Sequence, residues 1–253
     1  MELPPETLRR LRGWLDRDSV GNAHVIYRAF FDPKRGDILV DDPSDPQAVV
    51  VHDREGGRLA IAAEDPSDAA ALLESLPPGE YRIASIDLNL LPALRRAIQV
   101  EMGEPVWVFR MSREDLRPSQ VHGTNPVTVE HAKMIAEHWH HGREAYDYVR
   151  SRIEDGLSAG VYADGELVAW DMTHLETDKV IMLGFLYVKE AYRGRGYAKT
   201  VTTSMCRRVF KLGKTPACQV FQDNEVSMRL TEGMGFRRLK RQIWGKGIKL
   251  AGE

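Results

Sequence analysis

Two periods of apolar positions run through this chain, and the changes from one to the other predict its elements. Leu8, Leu11 and Leu15 follow Pro4-Pro5 at helical spacing, which predicts an amphipathic helix opened by proline. Apolar runs between clusters of Asp, Pro and Gly predict strands over 23–30 (AHVIYRAF), 47–52 (QAVVVH) and 58–62 (RLAIA). Asp65-Pro66-Ser67 opens a helix that reaches Leu76 and is stopped by Pro77-Pro78-Gly79. YRIASI, a helix over 90–100 and a strand VWVFRM follow. Residues 112–126 (SREDLRPSQVHGTNP) are polar and without periodicity, so they read as a linker between two α/β halves, 1–115 and 125–253.

The second half is punctuated more clearly. A helix starting at Thr128, or at Asn125-Pro126, runs through His138, and another covers 143–154 before Gly156. Strands LSAGVYA and ELVAWDMTH are joined by the hairpin signal Asp164-Gly165. A strand over 179–188 leads into Tyr192-Arg193-Gly194-Arg195-Gly196-Tyr197-Ala198. After it, Val201, Met205, Val209 and Leu212 mark a helix ended by Gly213. Strand ACQVFQ, a helix over 224–232 and a strand over 237–244 complete the pattern.

Composition narrows the class. The 253 residues are 43 % hydrophobic and 28 % charged with a net charge of −2, as in soluble globular proteins and unlike a globally basic nucleic-acid binder. The longest apolar run, Val180 to Val188, is interrupted by Gly184 and is far short of the roughly 20 residues that span a bilayer. The first residues lack the apolar core of a secretory signal, so a cytoplasmic protein that does not engage membranes is expected. Cys206 and Cys218 have no CxxC spacing and are expected to be reduced. His131, His138, His140 and His141 cluster without HExxH or a clean i,i+4 pair, so no metal is expected. Trp139, Trp170 and Trp244 are either core aromatics or the lining of an acyl or acceptor pocket. The cations from Arg237 to Lys249 read as guards of an exposed edge strand.

The charge is unevenly placed. Asp37 to Glu80 holds 11 acidic residues against Arg54 and Arg58, whereas Tyr192 to Thr215 holds seven basic residues and no acid. That basic stretch is where chemistry is expected. The first N–H groups of a helix lack intrahelical partners and carry partial positive charge, so a glycine-rich turn there suits a phosphate or diphosphate. Gly194 and Gly196 permit close backbone approach, and Arg193, Arg195 and Lys199 add charge. The turn matches neither GxGxxG nor GxxxxGK[ST].

Arg193-x-x-Gly196-x-Ala198 resembles the Arg/Gln-x-x-Gly-x-Gly/Ala signature of the GNAT superfamily of acyl-CoA N-acyltransferases. Gln222-Asp223-Asn224, a short helix and Met234-Gly235-Phe236 are similar to the second signature of that superfamily. Trp139-His140 with Gly142 and Glu144, Ala169-Trp170-Asp171, Phe210 to Lys214 and Asn224-Glu225 resemble the glycine N-acyltransferase-like proteins. The resemblance implies a GNAT fold, a central mixed and mostly antiparallel sheet, preceded by a degenerate GNAT-like half. It implies an acyl-CoA thioester and a small amine, glycine or another amino acid, as substrates, with direct attack in a ternary complex. Arg193, Gly194, Arg195, Gly196, Tyr197, Ala198 and Lys199 would hold the pyrophosphate. Leu186, Tyr187 and Val188 would pair with the pantetheine arm, Asn224 would hold it from the other side, and an N–H near Leu186 would face the oxyanion. Glu176, Asp178 and His174 are the candidate bases. Two departures stand out: Lys179 aligns about where the branch has a glutamate, and Thr231 stands where many GNAT enzymes have a tyrosine acid, a role open to Tyr187 or Tyr197. A protein or peptide N-acetyltransferase and a non-catalytic acyl-CoA-binding module are the alternatives.

Overall fold

The computed structural model describes residues 3–32, 36–53, 57–119, 121–139 and 145–251. In chain order its elements are α1 (Pro5–Leu15), α2 (Ala23–Ile26), β1 (Asp37–Val40), β2 (Ala48–His52), β3 (Arg58–Ala63), α3 (Pro66–Glu74), β4 (Gly79–Asp87), α4 (Leu91–Ala97), β5 (Gln99–Met102) and β6 (Val106–Arg110). Then come α5 (Ala132–Glu137), α6 (Tyr146–Asp155), β7 (Ser158–Ala163), β8 (Glu166–Glu176), β9 (Val180–Leu183), β10 (Tyr187–Val188), α7 (Tyr197–Lys211), β11 (Thr215–Phe221), α8 (Glu225–Gly233) and β12 (Arg237–Lys249). This is the mixed α/β architecture expected. Two compact units divide the chain: Met1–Val108 with Phe221–Asp223 and Leu239–Glu253, and Phe109–Val220 with Asn224–Arg238. Among the described residues no helix is long and apolar enough to cross a membrane.

In the first unit the sheet runs β1-β2-β3-β4-β12, antiparallel except for the β3/β4 pair. Both faces of β2 and β3 are covered, so these two strands are apolar without alternation. Val50, Leu59, Ile61 and Ile83 pack with Leu73 of α3 and Leu94 of α4. Their neighbours Val49, Val51, Ala60 and Ala84 point the other way, to Leu11 and Leu15 of α1 and Val25 and Ile26 of α2.

Two expectations are corrected here. Residues 23–30 are not a strand: α2 continues into a wide helical turn over Tyr27–Phe31. Val25, Ile26 and Ala29 recur at helical spacing and are buried on one face, and this packing outweighs the β-branched composition. β12 is not an edge: Gly245 to Ile248 register with β4 on one side and β5 on the other, and Lys240 ion-pairs with Asp18 and Asp87. Lys246 likewise pairs with Glu101 of β5, so these two cations meet acids of neighbouring strands rather than guard a rim. Of the two readings open for Trp244, the core one holds: it packs against the α1–α2 core with its ring edge-on to His24 at 4.8 Å.

The second unit has the order β11-β9-β8, with β7 and β10 also on β8. β9 and β11 are parallel and the other pairs antiparallel. Asp164 (φ 51°) and Gly165 (φ 83°) make the tight turn expected between β7 and β8. One face packs α5 and α6 through Ile135 and Val149 against Trp170 and Met172. The other packs α7, whose Val201, Met205 and Val209 are fully buried as its periodicity predicts, with Cys206 beside them, whereas Leu212, the last position of that pattern, is exposed just past the helix. Ser119 and Val121 lie along α7: their amides donate to the hydroxyls of Thr203 and Thr200, each at 3.2 Å.

Candidate functional site

The glycine-rich turn enters α7 with Gly194 at φ 76° and Gly196 at φ 80°, left-handed conformations that glycine adopts without strain. A Cβ on Gly196 would also lie 3.2 Å from the Val121 side chain. The first intrahelical bond runs from Thr200 N to Gly196 O, so the amides of Tyr197, Ala198 and Lys199 precede the ladder. Neither a side-chain cap nor an acidic residue occupies that first turn. Arg193 Nε donates to Val188 O, and the Arg195 guanidinium sits 5.1 Å over the Tyr192 ring while donating to Ala191 O. Both arginines brace the turn from its own loop and remain exposed, as does Lys199.

Immediately before this turn the sheet forks. The expected strand over 179–188 is two strands. The β9/β11 ladder ends at Leu183 and Cys218, and Gly184, Phe185 and Leu186 then leave it. Tyr187 and Val188 register with Trp170 and Ala169 of β8. β9 and β10 are thus collinear along β8, but the neighbour on the far side is lost between them. Leu186 sits in that break, exposed, and Asn224 caps α8 through Oδ1, which accepts from Ser227 N at 3.0 Å.

β8 carries a matching irregularity. Thr173 registers with Leu183 and Leu175 with Met182, so His174 is an extra, bulged residue. It faces Gly184, where a Cβ would lie 2.6 Å from the His174 Cβ. The His174 ring is edge-on to Tyr148 at 5.7 Å and 6.1 Å from Phe185, while Trp139 stacks on Tyr148 at 5.5 Å. The Tyr148 hydroxyl lies 2.9 Å from His174 Nδ1 and 2.5 Å from the His174 carbonyl oxygen.

The other two candidate bases lie elsewhere. Glu176 registers with Ile181, roughly 15 Å of extended chain from Leu186, and is ion-paired with Lys214. Lys214 also donates to Thr177 O at 2.7 Å. Asp178 is exposed in the turn beyond. Of the three candidates, His174 alone adjoins the break. Tyr187 is half-buried against the His138 ring, Tyr197 is buried with its ring edge-on to His122, and Thr231 is buried in α8. Trp170 is a core residue at 1 % exposure. His140, His141, Gly142 and Glu144 lie outside the described residues. Among the described residues no group of His, Cys, Asp and Glu is placed to hold a metal ion.

Asp171 went unnoticed as a titrating group in the sequence. Its carboxyl is 1 % exposed on the α7 side of β8, where Oδ2 accepts from the Thr202 hydroxyl at 3.0 Å and Oδ1 from Met172 N at 2.9 Å. Burial outweighs both bonds and pushes its pKa up to about 7. Burial likewise raises the thiols of Cys206 and Cys218, which makes them poor nucleophiles. Tyr148 was also missed. Only its position in α6, over the bulge, reveals it.

Solved structures align with this chain over nearly its whole length. An acetyltransferase of the GNAT family from Colwellia psychrerythraea aligns over 98 % of both chains with 17 % identity and a TM-score of 0.60. The fold is that of the GNAT acetyltransferases. A GCN5-related N-acetyltransferase from Kribbella flavida aligns over 99 % of this chain and 98 % of its own, with 15 % identity and a TM-score of 0.61. A tandem GNAT protein from the clavulanic acid biosynthesis pathway, in a structure without AcCoA, aligns over 97 % and 96 %, with 12 % identity and a TM-score of 0.60. The family model for FR47-like protein matches residues 156–245. Comparison with curated proteins gives no significant match.

Proposed function

We propose that this protein is an acyl-CoA-dependent N-acyltransferase of the cytoplasm that acylates a small amine, glycine or another amino acid first among them. The observation that carries this reading is the fork at Leu183 and Cys218, with β10 leading straight into the Gly194–Gly196 turn and the N-terminus of α7. A CoA thioester has two features that suit this arrangement. Its pyrophosphate is met by the amides at the start of α7 and by Arg193, Arg195 and Lys199. Its pantetheine arm is a chain of amides that extends the sheet along Leu186, Tyr187 and Val188, with Asn224 flanking it from α8. The alignment with a tandem GNAT protein supports reading residues 1–115 as a degenerate GNAT-like half and 125–253 as the catalytic one. The resemblance to the glycine N-acyltransferase-like proteins is what favours an amino acid as acceptor.

His174 is the base in this reading. Its bulged position puts it against Gly184, two residues from Leu186. The amine nitrogen attacks the thioester carbonyl carbon and its proton passes to the imidazole. Negative charge on the former carbonyl oxygen is met by the amide near Leu186. The C–S bond then breaks, and the CoA thiolate takes a proton from water or from the imidazolium. A histidine suits this because its ordinary pKa lies near neutrality.

The test is to incubate pure protein with acetyl-CoA or benzoyl-CoA and a panel of amines that includes glycine, following free thiol. Amine-dependent thiol release is expected. Absence of release with every pair overturns the enzymatic reading.

A further inference from the structure

Two short contacts converge on one hydroxyl. The Tyr148 oxygen is 2.5 Å from the carbonyl oxygen of His174 and 2.9 Å from Nδ1 of the same residue. A phenol has a single proton. A carbonyl oxygen only accepts, and two oxygens at 2.5 Å with no proton between them repel, so that proton lies on the line to the His174 carbonyl. The hydroxyl's lone pair is then what meets Nδ1, and an atom bonded to a lone pair must bring the hydrogen. The β8 bulge makes the arrangement possible, because it sets His174 outside the register between β8 and β9. Trp139 stacked on the Tyr148 ring and Phe185 beside both hold the ring in place.

We propose that Tyr148 is a positioning residue that fixes neutral His174 with its proton on Nδ1 and its lone pair on Nε2, through the paired contacts of one hydroxyl to the Nδ1 and carbonyl oxygen of His174. The proposal rests on the reading of His174 as the base and deepens it. A base must present a lone pair to the amine, and which ring nitrogen carries it is decided by the hydrogen bond the other makes. When Nε2 takes the amine proton the ring becomes a cation with hydrogens on both nitrogens, and the Tyr148 oxygen keeps its Nδ1–H partner throughout. No reorganisation of this contact is needed during the reaction.

The experiment is long-range proton–nitrogen NMR of uniformly ¹⁵N-labelled protein, above the imidazole titration, with the His174 signals assigned by their loss in His174→Gln. The expected result is a protonated Nδ1 and a lone-pair Nε2. A protonated Nε2 in the wild-type protein overturns the proposal. In Tyr148→Phe the ring is expected to shift toward the Nε2–H form favoured by histidine in water, and an unchanged spectrum in a folded variant also overturns it. If the protein turns over, Tyr148→Phe should lower kcat by about 10–100-fold and leave KM for the amine within about twofold. Equal kcat for the variant and wild type refutes the positioning role. The NMR result is independent of turnover, so a wild-type protein with Nδ1–H but no acyl transfer defeats the enzymatic reading and not the tautomer.

Discussion

The sheet of the first unit and the sheet of the second are built from similar residues but treated differently by their neighbours. Every residue of β2 is buried and every one registers with β3. In the second unit β9 is buried just as fully, yet its ladder with β11 stops at Leu183, β8 bulges opposite, and β10 is only half-buried. Closed ladders satisfy the backbone and leave nothing to bind with; an interrupted one presents backbone and a displaced side chain at one spot. Candidate chemistry therefore gathers where pairing is lost, and stability where it is complete.

This contrast can be broken by substitution. The largest effect is expected from His174→Gln, which should lower kcat by about 10²–10⁴-fold with little change in melting temperature; a stability loss with unchanged turnover would reverse the assignment. In the core packed on the closed sheet, Leu94→Ala in α4 removes a fully buried side chain and should cost about 2–5 kcal/mol in denaturant unfolding. An effect under about 1 kcal/mol would mean that this core is looser than its burial indicates.

Asp171 sharpens the comparison through pH. Its pKa is raised from 3.8 to about 7 in the folded state. The unfolded chain therefore gives up its proton first, and the folded state loses stability as pH rises from about 4 through 7. The swing is on the order of 4 kcal/mol at full ionisation. Asp171→Asn should flatten that slope in unfolding titrations, whereas parallel curves for the two proteins would remove Asp171 as its source. The smallest effect is expected from Glu176→Gln. Its pair with Lys214 is a third exposed on the glutamate side, so stability should change by less than about 1 kcal/mol. Turnover that collapses in this variant while His174→Gln stays active would move the base to the C-terminal end of β8.

Local chemistry that acts within a few residues was legible in the sequence. Gly194 and Gly196, the Asp164-Gly165 turn and the spacing Val201, Met205, Val209 each specify their own geometry. Residues whose state depends on distant neighbours were not. Val25 and Ile26 suit a strand until Leu11 and Leu15 are packed beside them. Gly184 interrupted an apolar run, but nothing in the run says that β11 parts from it there. Glu176 and His174 were equal candidates by position, and only Lys214 at one and the bulge at the other separate them. The amides of Ser119 and Val121, inside the polar segment 112–126, donate to the hydroxyls of Thr203 and Thr200 in a helix some 80 residues later, a pairing that no local pattern announces.

The place of β12 has a consequence for how the protein is made. Ser85 of β4 hydrogen-bonds to Gln242 of β12 across 157 residues of chain. The unit that begins the chain thus cannot finish its sheet until the whole second unit has been synthesised, and β4 waits with an open edge in the meantime. Pairings this distant in sequence form slowly, and an unpaired strand edge is prone to join other chains. The first unit is therefore the one expected to need protection on the ribosome, even though it emerges first.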